Sequence, residues 1–105
     1  MLRLEVRYRP EAIGDLESVF LSVLQASQSA RVATAFVQRI RLRCERIGDA
    51  PRGGRPRDDL YPGLRTVPFE RTAVIAYLTE ESCVRVTNIF YGGRDYEALY
   101  RSGGD

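Results

Sequence analysis

Apolar and polar positions divide this chain into a helical half followed by a sheet half. Leu2, Leu4, Val6 and Tyr8 alternate with Arg3, Glu5 and Arg7, the period-two pattern of a strand with one buried and one wet face. After Pro10 the period lengthens. Ile13, Leu16, Phe20, Val23 and Leu24 keep one face through spacings of three and four, predicting an amphipathic helix that ends near Ala26. Pro10 suits the first helical turn, where its missing N–H costs nothing, and Glu11 and Asp15 are placed to favour the helix's positive end. Ser27-Gln28-Ser29 is a short polar connector. Ser29 can cap a second helix from about Ala30 to Ile47, with Val32, Phe36, Ile40, Cys44 and Ile47 as its buried stripe. Helices joined so tightly are expected to be antiparallel neighbours packed on the sheet.

The sheet half reads as three antiparallel strands, Leu64 to Phe69, Ala73 to Thr79 and Cys83 to Phe90. The middle one is apolar on both alternations, as a strand with neighbours on two edges and at least one covered face requires. Glu80-Glu81-Ser82 is a polar break short enough for a hairpin, and Gly92-Gly93 ends the last strand. Between the halves, Gly48 to Gly63 is rich in Pro and Gly and reads as an ordered connecting loop, functional or braced at such a length. Its Arg52, Arg55 and Arg57 lie close in sequence to Asp58 and Asp59, so internal salt bridges are one use for these charges. Tyr96 to Tyr100 can form one helical turn, and Ser102 to Asp105 is expected to fray. The expected fold is α+β: a small antiparallel meander plus an N-terminal strand, with an N-terminal two-helix hairpin packed on one face.

Composition narrows the chemistry. At 105 residues, 44% hydrophobic and 29% charged, residues 1–105 fit a single globular domain. Net charge is only +2, yet all sixteen basic residues are arginine. Arginine's planar fork suits an acidic partner protein or nucleic acid, and codon usage alone also yields such a bias. With no histidine, a serine or cysteine hydrolase using a histidine base is excluded. Cys44 and Cys83 alone make a zinc site unexpected, and they read as free buried thiols. No nucleotide-binding glycine loop or metal-ligand cluster occurs, so neither cofactor nor metal is expected. The N-terminus enters alternating sequence without a basic and then apolar leader, and no run reaches membrane-spanning length. A cytoplasmic location is expected. What remains is a set of arginines and tyrosines near the sheet: Arg65, Arg71, Tyr77, Arg85, Tyr91 and Arg94.

Two blocks carry a family resemblance. Phe90-Tyr91-Gly92-Gly93-Arg94-Asp95-Tyr96-Glu97-Ala98-Leu99 resembles the C-terminal signature of the ParE/RelE superfamily, the toxins of type II toxin–antitoxin pairs such as those of plasmid stabilization modules. It is most similar to the ParE-like members. Gly54-Arg55-Pro56-Arg57-Asp58-Asp59-Leu60-Tyr61-Pro62-Gly63-Leu64-Arg65 resembles the loop entering that family's first hairpin strand. Arg94 and Asp95 match the Arg-Asp of the terminal motif, while Tyr91 stands where many members carry histidine.

The resemblance implies a toxin that binds and inhibits DNA gyrase rather than an enzyme, causes growth arrest, and is neutralised by a cognate antitoxin. Tyr91, Arg94, Asp95 and Arg71 would then meet the target. A RelE-like alternative is a ribosome-dependent mRNA endoribonuclease, with Arg65, Arg85 and Tyr91 as catalytic candidates. Arginines could stabilise charge on a scissile phosphate, but a tyrosine of ordinary pKa is a poor base. A third reading is a non-toxic antitoxin-binding domain.

Overall fold

The computed structural model describes residues 3–103, with side chains through Arg101. Eight elements follow in order: β1 (Glu5–Tyr8), α1 (Pro10–Ser27), α2 (Ala30–Ile47), β2 (Arg55–Pro56), β3 (Arg65–Phe69), β4 (Ala73–Thr79), β5 (Cys83–Tyr91) and α3 (Tyr96–Gly103). Leu2 and the expected fraying of Gly104 and Asp105 lie outside the described residues. Ser102 and Gly103 do not extend from the fold as a frayed end, because the single turn expected at Tyr96 continues through them as helix.

The five strands form one sheet in the order β1-β5-β4-β3-β2. β3, β4 and β5 make the expected meander, and β1 adds parallel to β5, pairing Glu5 with Cys83 and Tyr8 with Val86. A parallel pair needs a long crossover, and the helical hairpin belongs to the chain that supplies it. Within that hairpin, Gln28 takes the left-handed conformation (φ 56°) that ends α1, and the Ser29 hydroxyl accepts from the Val32 amide at 3.2 Å to start α2. β2 is a two-residue strand inside the segment read as a loop; its Pro56 can sit only at a sheet edge.

Leu16, Val19 and Val23 of α1 and Ile40, Cys44 and Ile47 of α2 cover one sheet face, against Ile75, Tyr77, Val84, Val86 and Ile89. Each fully buried aliphatic side chain contributes about 1.5–3 kcal/mol. The helical stripes are rotated from the sequence reading. Ile13 and Val32 are half exposed, while Ala12 and Ala33 are fully buried. A helix that packs on both a sheet and a second helix buries the direction between them, and small side chains there permit close approach. Asp15 also differs from its expected helix-end role. Its carboxylate accepts from the Ile89 amide at 2.8 Å, beside the point where β4 and β5 slip register. There Ala76 pairs with Asn88 but Tyr77 with Val86, leaving Thr87 unpaired. Across this β-bulge the β5 residues that pack on the helical core change from Val84 and Val86 to Ile89 and the half-buried Tyr91.

The opposite sheet face is covered as well. Leu64, Ala76 and Phe90 form a second core with Leu60, Val74, Leu78, Tyr96 and Tyr100. Thus both alternations of β4 are apolar because both faces are buried.

Candidate target-binding end of the sheet

Two turns meet at one end of the sheet. The β3–β4 hairpin turns through Glu70 and Arg71, whose φ values of 46° and 59° are both left-handed. Left-handed backbone in non-glycine residues costs of order 1–3 kcal/mol each, so the surroundings must hold it. Thr72 N–H donates to Phe69 O at 3.0 Å, Gly92 N–H donates to Thr72 O at 2.9 Å, and Arg39 of α2 binds the Glu70 carboxylate through bonds of 2.9 and 3.1 Å. That guanidinium holds the Glu70 carboxyl below its ordinary pKa. Beside this turn, Gly92 and Gly93 (φ 79° and 73°) swing the chain from β5 toward α3, a conformation glycine adopts without Cβ strain.

Arg71 and Arg94 come together here, lining a cleft of about 180 Å³ with Thr72, Phe90, Gly93 and Tyr96. The Arg94 guanidinium carbon lies 5.9 Å from the Phe90 ring centre, and Phe90 stacks on Tyr96 at 5.0 Å. Arg94 also borders a second hollow of about 140 Å³, with Tyr91 and with Asp15, Ser18 and Ser22 of α1. It therefore stands between two recesses. Tyr91 is half-buried and packs edge-on against Phe36 of α2 at 5.8 Å. Asp95 does not pair with Arg94. Its carboxylate accepts from the Ala98 amide at 3.3 Å and lies 3.5 Å from Arg101, so it caps α3.

Arg65, Arg85 and Tyr91 do not converge. Arg65 donates to the carbonyls of Arg52 and Gly54 at 3.0 and 2.8 Å, tying down the 48–63 segment. Arg85 is paired with Glu80 at 2.9 Å beside the β4–β5 turn. Directly opposed residues share a face, so Arg65, opposite Tyr77, and Arg85, opposite Leu78, lie on different faces of the sheet. Six residues of strand put Arg85 about 20 Å from Tyr91 along β5. Burial pushes the Cys44 thiol up to about 11 and raises that of Cys83, so neither is an activated nucleophile.

The sequence profile described as "ParE toxin of type II toxin-antitoxin system, parDE" matches residues 6–96. The chain belongs to the ParE toxin family. It is 39% identical over 79 residues to "Toxin ParE3" of Caulobacter vibrioides, covering 75% of this chain and 77% of that one. The structure titled "Chromosomal ParDE TA system from P. aeruginosa" shares the fold, with a TM-score of 0.73 at 18% identity over 86% of this chain and 97% of that chain. The toxin of a parDE-type pair expected from the two sequence blocks, and the α+β fold expected from the apolar periodicity, are thereby shown.

One arrangement in this ParE-family toxin was only half legible. Arg57 is buried, and its guanidinium grips Asp59 through bonds of 2.8 and 3.0 Å. The same group reaches Glu97 at 2.6 Å and the Tyr96 hydroxyl at 3.2 Å. It thus locks α3, and with it one wall of the Arg71–Arg94 cleft, onto the loop before β3. The Asp58-Asp59 pair signalled local ion pairing; the long-range partners carried no local signal.

Proposed function

We propose that this toxin arrests growth by binding DNA gyrase, that the Arg71–Arg94 end of the sheet makes the contact, and that a cognate antitoxin neutralises it through the helical hairpin. The observation supporting this reading is the pairing of Arg71 and Arg94 at one rigid corner. Neither has a carboxylate partner among the described residues; of the two arginines tied to the nuclease alternative, Arg85 is already neutralised by Glu80 and Arg65 is spent on the carbonyls of Arg52 and Gly54. A binding inhibitor needs an exposed, preorganised contact surface and no titrating base. Gyrase as target places the toxin in the cytoplasm.

A second surface suits the antitoxin. Ile13 and Leu21 are 50% and 61% exposed, and with Phe20 and Val37 they line a groove of about 510 Å³ along the helical hairpin, rimmed by Glu17 and Arg41. An apolar groove with charges at its edge fits the apolar face of an amphipathic segment. The decisive experiment expresses the toxin briefly without antitoxin and assays supercoiling by purified gyrase. Inhibited supercoiling with DNA-damage signalling supports the reading; intact DNA with messenger RNA cut on ribosomes refutes it. Arg94→Ala should relieve arrest while keeping the wild-type fold by circular dichroism, and persistent arrest by that folded variant would remove Arg94 from the contact.

A further inference from the structure

We propose that the cleft between the β3–β4 turn and the β5–α3 corner is a carboxylate-binding pocket that takes a glutamate side chain of the target protein. The inference rests on this end of the sheet being the target-binding surface and specifies the chemistry it recognises.

The turn itself is the first observation. Left-handed backbone at position 71 would be relieved by glycine or asparagine, yet the structure holds an arginine there, fixed by the bonds around Thr72 and by the Arg39–Glu70 pair. The turn conformation has no need of that side chain. Arg71 instead lines the cleft from a braced corner rather than a loose loop. From the other wall comes Arg94, and both lack an acidic partner among the described residues, while nearby Arg39, Arg57 and Arg101 are already paired with Glu70, Asp59 and Asp95. Two planar donor groups at one recess match a carboxylate's two oxygens.

The floor and size select the kind of anion. The stacked Phe90 and Tyr96 rings offer an apolar surface for a methylene stem. At about 180 Å³ the cleft is smaller than the roughly 300–1,000 Å³ of most small-molecule pockets, and it is of a size for one side chain. A nucleic-acid backbone would need a track of several unpaired cations. Arg71 and Arg94 are the two cations lining this cleft, too short a run for such a track.

The test uses the whole toxin labelled with ¹⁵N and titrated separately with an acetylated, amidated Gly-Glu-Gly peptide, its Gly-Gln-Gly counterpart, inorganic phosphate and a short single-stranded oligonucleotide. The glutamate peptide should shift the Nε–H resonances of Arg71 and Arg94 in a saturable way, and the glutamine peptide should bind at least about tenfold more weakly. Arg71→Lys and Arg94→Lys, which keep charge but lose the fork, should each weaken binding several-fold. Equal binding of the two peptides, no shift at either arginine, or tighter binding of phosphate or oligonucleotide overturns the proposal. The same variants are then assayed for gyrase inhibition. Variants that lose the peptide but inhibit gyrase fully overturn the assignment of the pocket to target recognition. A wild-type toxin that binds the peptide but leaves gyrase untouched overturns the gyrase reading and leaves the pocket's chemistry standing.

Discussion

Replacing Tyr77 by phenylalanine isolates the bond that holds the 48–63 segment against the sheet. Tyr77 is fully buried in the middle of β4. Its hydroxyl donates to Pro51 O at 2.8 Å and accepts from the Gly54 amide at 3.0 Å, so one oxygen satisfies two loop groups. Phenylalanine keeps the ring and its packing but leaves the buried Gly54 N–H without a partner. An unsatisfied buried donor costs about 1–3 kcal/mol, and the lost hydroxyl–carbonyl bond adds about 1 kcal/mol or less. A net loss of about 2 kcal/mol lowers Tm by roughly 8–16 °C in a domain of this size. In urea, with an m-value near 2 kcal/mol/M, the midpoint falls by about 1 M with the slope unchanged. Tyr61→Phe is the control: Tyr61 is half exposed, and its variant should stay within about 0.5 kcal/mol of wild type. A Tyr77→Phe midpoint within about 3 °C of wild type would refute the reasoning, since it would show that these loop groups do not depend on the hydroxyl.

Other outcomes follow from the same geometry. Gly54→Ala should destabilise more than Tyr77→Phe, because a Cβ there would collide with the Tyr77 hydroxyl and ring; equilibrium unfolding of the two variants side by side checks the order. Arg71→Gly relieves left-handed strain of about 1–2 kcal/mol against a glycine entropy cost of about 0.5–1 kcal/mol, so Tm should hold or rise by a few degrees while growth arrest weakens. Leu21→Arg places charge in the apolar groove of the hairpin and should weaken antitoxin binding at least about tenfold by calorimetry. The Glu70, Glu80 and Asp59 carboxyls are held below their ordinary pKa chiefly by side-chain hydrogen bonds from Arg39, Arg85 and Arg57. Groups depressed in the folded state stabilise it above the unfolded pKa and stop doing so as pH falls through the folded one. Tm should therefore be flat from pH 7 to about 5 and fall between about pH 5 and 3, with a shallower fall in Arg39→Ala.

By itself the sequence determined most elements of this protein, β2 and the length of α3 excepted. The boundaries of α2 and β4 coincide with their periodic segments, and α1 and β5 each run one residue beyond theirs, because caps and alternation act over a few neighbouring residues. The Phe90 to Leu99 and Gly54 to Arg65 blocks also pointed to the toxin family, and local motifs can do that. Tertiary structure decided how the elements meet. It turned α1 and α2 so that Ala12 and Ala33, not Ile13 and Val32, face inward, since the buried direction depends on two packing partners at once. A phase slip in the apolar pattern from Val84 and Val86 to Ile89 and Tyr91 foreshadowed the bulge, but only Asp15 reaching across from α1 shows how it is held. Arg71 and Arg94 are 23 positions apart in sequence. Antiparallel pairing of β4 between β3 and β5 folds that separation back on itself, bringing the β3–β4 turn beside the end of β5 and the two arginines to one cleft.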